Sequence, residues 1–82
     1  MRELTYDQKL VFYATAKKAT AGIISQIENG DFVNYWCGKL RGKFVQVGTD
    51  WKAATKQQAI ESARLFREQC RTEAQTKGLL PA

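Results

Sequence analysis

The sequence contains no histidine, only two cysteines and a single proline among its 82 residues. Without histidine, neither a Ser-His-Asp triad nor a Cys-His pair can form. Two scattered cysteines cannot build a familiar zinc site. The glycines match neither a phosphate-binding loop nor a dinucleotide fingerprint. We therefore expect a protein that is not an enzyme and that holds no metal ion and no cofactor.

Long apolar runs are also lacking. No run reaches the roughly 18 residues that a membrane span needs, and the Met1-Arg2-Glu3 opening is not that of a signal peptide. The two cysteines are expected to be free and buried, because Cys37 falls on a predicted strand and Cys70 on a predicted helix. These features predict a cytoplasmic protein that does not enter a membrane.

Positive charge is what the sequence has in excess. Thirteen lysines and arginines face eight acidic residues, which gives a net charge of +5 and a pI near 9.5. Small basic domains commonly bind nucleic acid. The alternative is that the charge only keeps a small protein soluble. The length predicts a single domain over residues 1–82.

Three short runs rich in β-branched and aromatic residues lie between residues 22 and 48. Asn29-Gly30 separates the first two runs, and Asn-Gly is the strongest local signal for a β-hairpin. Arg41-Gly42 separates the second and third runs. The pattern predicts an antiparallel meander over 23–48, with strands at 23–28, 31–38 and 43–47.

A helix is predicted on each side of this meander. The first spans 5–21, with Thr5 as its N-cap, Lys17 and Lys18 in its last turn and Gly22 as the residue that ends it. The second spans 55–77, begins at Thr55 and is capped by Gly78, and residues 78–82 form a tail. The second helix has an apolar stripe with three- and four-residue spacing, formed by Ala59, Ala63, Phe66, Cys70 and Ala74.

The predicted fold class is therefore α+β, in the order α-β-β-β-α. An alternative remains open, because residues 23–28 could extend the first helix and leave α-β-β-α. That long helix would carry Gly22 in its interior at a cost of about 1 kcal/mol relative to alanine. We expect Phe66 to be buried against the sheet.

Alternation along the strands predicts which side chains face the core. Matching the aliphatic positions assigns one set to the core, namely Val33, Tyr35, Cys37, Val45 and Val47. The other set then lies on an outer face, namely Asn34, Trp36, Phe44 and Gln46. The alternative is that the two faces are reversed, with Trp36 and Phe44 in the core.

An aromatic and cationic cluster around the second hairpin indicates nucleic-acid binding. Cations there could contact phosphates, and planar side chains could contact bases. The candidate residues are Asn34, Trp36, Lys39, Arg41, Lys43, Phe44 and Gln46.

Residues 22–66 also resemble the small DNA-binding domain at the N-terminus of phage tyrosine integrases, which is related to the plant ethylene-response-factor domain. The shared features are Trp36 on the second strand, Gly42-Lys43 opening the third and Gly48 closing it. Thr55-Lys56 then begins a helix that carries Ala59 and Ala63. The resemblance implies a three-stranded sheet with a helix behind it. It also implies base and phosphate contacts from the sheet face, at Asn34, Trp36, Arg41, Lys43 and Gln46.

Other partners are weighed against DNA. The element order is also that of the double-stranded-RNA-binding domain, but Lys56-Gln57-Gln58 matches its cationic second helix poorly. The cluster could instead bind an acidic protein surface, as an interaction module or inhibitor would. A homodimer could bury Trp36 and Phe44 between two sheets. The size and charge suit an accessory protein of a phage or plasmid.

Overall fold

The computed structural model describes residues 3–45, 52–53 and 55–81. These residues form two helices and an antiparallel sheet with strand order β1-β2-β3. The elements are α1 (Tyr6–Ala14), β1 (Ala19–Glu28), β2 (Asp31–Leu40), β3 (Lys43–Phe44) and α2 (Lys56–Thr76). The predicted α-β-β-β-α order is confirmed, and the alternative of one long first helix is wrong. Within the described residues, no helix is both long and apolar enough to cross a bilayer.

Both helices begin with a reciprocal capping arrangement. The Thr5 hydroxyl accepts the Gln8 backbone N–H at 3.1 Å, and the Gln8 side chain accepts the Thr5 N–H at 2.8 Å. Thr55 and Gln58 repeat the arrangement at the start of α2. After α2, Gly78 has φ +76°, the left-handed conformation that ends many helices. The two N-caps and the role of Gly78 are confirmed.

The first helix ends much earlier than predicted. It stops at Ala14, where the Thr15 hydroxyl turns back to donate to the Val11 carbonyl at 2.8 Å. β1 begins at Ala19, so Gly22 lies inside a strand and does not end a helix. A Cβ at Gly22 would come within 2.7 Å of the Phe44 ring, so close packing of that ring requires the glycine.

Two tight turns fix the register of the sheet. Asn29 and Gly30 have φ values of 51° and 84°, and Arg41 and Gly42 have 49° and 82°. Such paired left-handed residues form the two-residue turns that suit the twist of a hairpin. The Asn29-Gly30 hairpin is therefore confirmed.

The second turn shows that the predicted division of the sheet into faces was wrong. Because the turn pairs Leu40 with Lys43, Val45 lies opposite Gly38 and donates its N–H to the Gly38 carbonyl at 2.9 Å. Val45 therefore shares a side of the sheet with Gly38 and Leu40, and Cys37 lies on the other side. The side that contains Gly38 and Leu40 is called the helix side below, and the side that contains Cys37 is called the outer side.

α2 packs on the helix side. A Cβ at Gly38 would come 2.7 Å from the Ala59 carbonyl oxygen, which shows how closely the helix backbone approaches. Trp36 is also on the helix side, as the reversed alternative proposed, but Phe44 is on the outer side. The two rings therefore cannot be buried together on one face in a sheet-to-sheet dimer. Val33 and Tyr35 fall on the outer side with Cys37, whereas Gln46 and Val47 lie outside the described residues.

Small side chains dominate the core. One cluster joins α1 to α2 through Leu10, Ala14, Cys70 and Ala74. The other joins the sheet to α2 through Ala16, Leu40, Val45 and Ala63. Phe66 borders both clusters but is only half-buried, and its ring meets Tyr13 of α1 edge-on at 5.9 Å. Four of the five predicted stripe positions are fully buried, and both cysteines are free and buried, as predicted.

Candidate nucleic-acid interface

The Arg41-Gly42 turn brings cations from separate parts of the chain together. Lys39 and Lys43 flank the turn, and the connection between α1 and β1 lies beside it because Ala19 pairs with Leu40. Arg41 links the two by donating from Nη2 to the Thr15 carbonyl at 3.4 Å. We call this part of the molecule the basic end, and it consists of Lys17, Lys18, Lys39, Arg41 and Lys43.

Three of these cations are positioned by aromatic rings. The Arg41 guanidinium lies 4.4 Å from the centre of the Phe12 ring, and the Lys43 ammonium lies 5.6 Å from that of Tyr13. The Lys39 ammonium lies 5.3 Å from the centre of the Phe44 ring. Each such contact contributes about 0.5–1 kcal/mol at an exposed site. Rings hold a cation in place without cancelling its charge.

No carboxylate of the described chain forms an ion pair with the basic end. The ion pairs that the structure shows join Lys52 to Glu28, Arg64 to Glu61, Arg71 to Glu68 and Lys77 to Asp7. Lys17 and Lys18 are exposed. Like charges that face water in one small region raise the local potential and attract polyanions.

Phe44 adds a planar apolar surface to the basic end. Its side chain is 41% exposed on the outer side, beside Lys39 and above Gly22. An exposed ring next to cations can stack on an unpaired base or pack on a sugar.

The predicted site residues do not all lie together. Lys39, Arg41, Lys43 and Phe44 come together at the basic end. Trp36 is on the helix side, where its ring lies 5.9 Å from the Lys56 ammonium. Its backbone N–H and carbonyl both bond to Ala53, at 3.2 and 2.8 Å.

The remaining two predicted positions do not extend the basic end. Asn34 also lies on the helix side, near the far end of the hairpin, and accepts the Ser25 hydroxyl at 2.6 Å. Gln46 lies outside the described residues. The strand residues of the contact surface that the resemblance implied, Asn34, Trp36 and Lys43, therefore lie on the helix side, on which α2 packs.

Sequence reasoning missed Lys17 and Lys18 as site residues. They were assigned to the last turn of a helix, but they lie in the connection that leads to β1. The adjacent pair of lysines was visible in the sequence. Its position beside the second turn follows only from the pairing of Ala19 with Leu40, which depends on the true start of β1.

The thiols and carboxylates offer little for chemistry. Burial raises the pKa of Cys37, and burial followed by the charge of Glu73 raises that of Cys70. A raised pKa keeps a cysteine in its weakly nucleophilic thiol form. Among the described residues, no three histidine, cysteine, aspartate or glutamate side chains gather as a metal site would require.

Two hydrogen bonds between side chains brace the fold away from the basic end. The Tyr35 phenol donates to Glu28, and this bond is the main reason that the pKa of Tyr35 is raised. The Tyr6 phenol donates to Glu73 at 2.6 Å and ties the start of α1 to the end of α2. These carboxylates have structural partners.

Comparison with known proteins adds no relative to this description. No family model, no curated protein and no solved structure matches the chain.

Proposed function

We propose that this protein binds nucleic acid through its basic end. The observation on which the proposal rests is that five cations from two chain segments converge there, and no carboxylate of the described chain is paired with them. In the bound state, Lys17, Lys18 and Arg41 contact phosphates. Phe44 lies against a base or sugar on the outer side.

Electrostatics favours a polyanion as the ligand. Closely spaced cations repel one another in the free protein, and binding a chain of phosphates relieves that repulsion. Each phosphate contact also releases condensed counterions, so the affinity falls steeply as salt is added. A net charge of +5 on 82 residues supports attraction at long range. The resemblance to the integrase DNA-binding domain supports DNA over RNA.

The cations differ in how cleanly they can be removed. Arg41 and Lys43 lie on rings of α1, so alanine there would loosen the packing of the helix as well as remove charge. Lys17 and Lys18 are exposed, and in the described part of the chain neither side chain forms a hydrogen bond, an ion pair or a ring contact. The double substitution Lys17→Ser with Lys18→Ser therefore tests binding with the fold intact.

The matched control is Arg64→Ser with Arg71→Ser. It changes the net charge by the same amount, but it removes cations that are paired with Glu61 at 3.5 Å and Glu68 at 3.2 Å. Binding to duplex DNA, single-stranded DNA and RNA is measured over a salt series. The slope of log affinity against log salt should fall by about two for the lysine variant and stay unchanged for the control.

Three outcomes would contradict the proposal. Equal losses in both variants would show that net charge alone matters and that no site exists. An unchanged slope in the lysine variant would place the contacts elsewhere. No binding to any nucleic acid at about 50 mM salt, where even nonspecific binding is strong, would favour an acidic protein as the partner.

A further inference from the structure

The helix side of the β1–β2 hairpin exposes several large apolar side chains between its middle and its tip at Asn29-Gly30. Ile23 is 55% exposed, Ile27 68% and Phe32 78%. Ile27 lies directly opposite Phe32, and Ile23 lies opposite Trp36, so all of them are on the helix side. α2 packs over Gly38 and Leu40, nearer the other end of the hairpin. Ile27 and Phe32 form an exposed apolar pair beside the turn, and Ile23 lies in the middle of β1, beyond the polar pair of Ser25 and Asn34.

Among the residues that the structure describes, no strand pairs with the outer edge of β1. β1 is an edge strand of ten residues, and its sequence ATAGIISQIE contains no proline and one charged residue, Glu28, at its end. Exposed edges are commonly protected by lysine, proline, bulges or short length. β1 has none of these protections.

The hairpin turn determines which backbone groups point outwards from β1. A two-residue turn is closed by a hydrogen-bonded pair, here Glu28 and Asp31. The even-numbered residues of β1 therefore bond to β2, and the odd-numbered residues point their N–H and carbonyl groups away from it. The residues with free edge groups are Ala19, Ala21, Ile23, Ser25 and Ile27.

We propose that a second copy of this chain pairs with this edge. The two β1 strands run antiparallel about a twofold axis perpendicular to the sheet, and the two sheets form one sheet of six strands. Such an axis keeps both helix sides on the same side of the joint sheet. Two residues that face each other across this contact must then have numbers that are both odd or both even. An axis that passes between the two copies of Ile23, or between the two copies of Ile24, satisfies this condition.

The antiparallel arrangement also gives Ile27, the tip residue on the pairing edge, an apolar neighbour. With the axis at Ile23, the Ile27 of one copy lies opposite Ala19 of the partner subunit, at the end of the sheet that the partner's helix covers. The large side chain meets a small one there. The two basic ends lie at opposite ends of the dimer, so their charges do not repel at close range.

The size of this contact suits a dimer. About nine residues of each strand pair, over a length of about 30 Å. Specific interfaces bury more than about 1,000 Å², and a pairing of this length contributes to that area through the backbone and through the apolar side chains beside it.

The test compares two lysine substitutions by sedimentation equilibrium over a range of protein concentrations. Wild-type protein should show a dimer whose fraction rises with concentration. Ile23→Lys places a charge at the pairing edge and should leave only monomer. Phe32→Lys, the control, changes a more exposed residue on the same side of the sheet but away from the edge, and it should retain the dimer.

A crosslinking experiment gives an independent readout. Ile23→Cys should form an intermolecular disulfide on mild oxidation, because this residue lies near its own copy at the axis. Thr20→Cys, far from the axis, should not. A wild-type protein that stays monomeric would overturn the proposal. So would a dimer that Phe32→Lys disrupts and Ile23→Lys does not, because that dimer would form through the tip alone.

Discussion

Gly38 and Gly22 each allow another group to approach the sheet more closely than a side chain would permit. An added Cβ at Gly38 would meet backbone atoms of α2, the Ala59 carbonyl oxygen at 2.7 Å and the Ala63 nitrogen at 3.0 Å. An added Cβ at Gly22 would meet only the ring of Phe44, also at 2.7 Å. A helix backbone cannot move without disturbing its whole packing, whereas a half-exposed ring can rotate.

Gly38→Ala should therefore destabilise the protein much more than Gly22→Ala. We expect a loss of about 2–3 kcal/mol for Gly38→Ala, because overpacking displaces the helix. Gly22→Ala should lose less than about 1 kcal/mol, since a compensating movement of Phe44 is available. Urea unfolding measures both, and the double variant Gly22→Ala with Phe44→Ala is the control. Equal losses for the two glycine variants would contradict the close approach of α2 to Gly38.

The role of a single residue could be predicted from the sequence where that role depends on nearby residues. The caps Thr5 and Thr55, the Asn29-Gly30 turn and Gly78 were all predicted correctly, because each depends on a few neighbouring residues. Gly22 was misassigned as the end of a helix. Its role depends on Phe44, far away in the sequence, and no local pattern reports that contact.

Leu40 is the residue on which the packing of the sheet against α2 most depends. It is completely buried, and with Cys37 it is one of the two largest side chains that are fully buried in the described chain. Its core cluster includes three alanines, Ala16, Ala19 and Ala63, whose short side chains cannot fill the space that it would leave. The sequence prediction ended the second strand at residue 38 and so left Leu40 out of the sheet.

Leu40→Ala should cost about 3–4 kcal/mol of unfolding free energy, from lost burial and the cavity left behind. Such a loss is most of the roughly 5 kcal/mol expected for a domain of this size. Phe32→Ala removes a larger side chain that is 78% exposed, and it should change the stability of the monomer by less than about 1 kcal/mol. Thermal or urea unfolding of both variants, at a protein concentration low enough to exclude the dimer, measures the two changes in stability. A small loss of unfolding free energy in Leu40→Ala would mean that α2 does not pack on this side of the sheet.

The faces of the sheet were mispredicted for a reason that lies in the register. The alternation of apolar residues predicts that Val45 and Cys37 share a face, because both are apolar. The register, however, is set by the Arg41-Gly42 turn, which pairs Leu40 with Lys43 and so turns Val45 to the helix side. The X-Gly signal for this turn was present in the sequence. To assign each residue of β3 to the correct side of the sheet, one also has to know that the turn contains only two residues.

At the scale of the whole molecule, the two surfaces that carry the proposals lie at different places. The basic end surrounds the Arg41-Gly42 turn, and the apolar tip lies at the Asn29-Gly30 turn, about ten residues away along β1. A surface that binds a polyanion and an edge that pairs with a second copy can therefore work at the same time. The dimer then presents two basic ends that point in opposite directions.

This geometry predicts a dependence on the length of the nucleic acid. With the axis near the middle of β1, a rise of about 3.4 Å per residue and a strand spacing of about 4.8 Å, the two Arg41-Gly42 turns of the dimer lie roughly 45 Å apart. A straight duplex longer than about 45 Å can therefore contact both basic ends, whereas a shorter duplex can contact only one. A duplex of about 8 base pairs reaches one end, and a duplex of about 20 reaches both.

Wild-type protein should therefore bind the longer duplex far more tightly than its extra length alone explains. Once one basic end is bound, binding of the second is intramolecular, and it raises the affinity by about 100-fold or more. Ile23→Lys, as a monomer, should bind both duplexes with nearly the same affinity per site. Lys17→Ser with Lys18→Ser should weaken both lengths and still form the dimer, which separates a failure of the basic end from a failure of the edge. Fluorescence anisotropy with duplexes of increasing length measures the effect. A wild-type dimer whose affinity rises only in proportion to the number of base pairs would show that its two basic ends do not engage one duplex together.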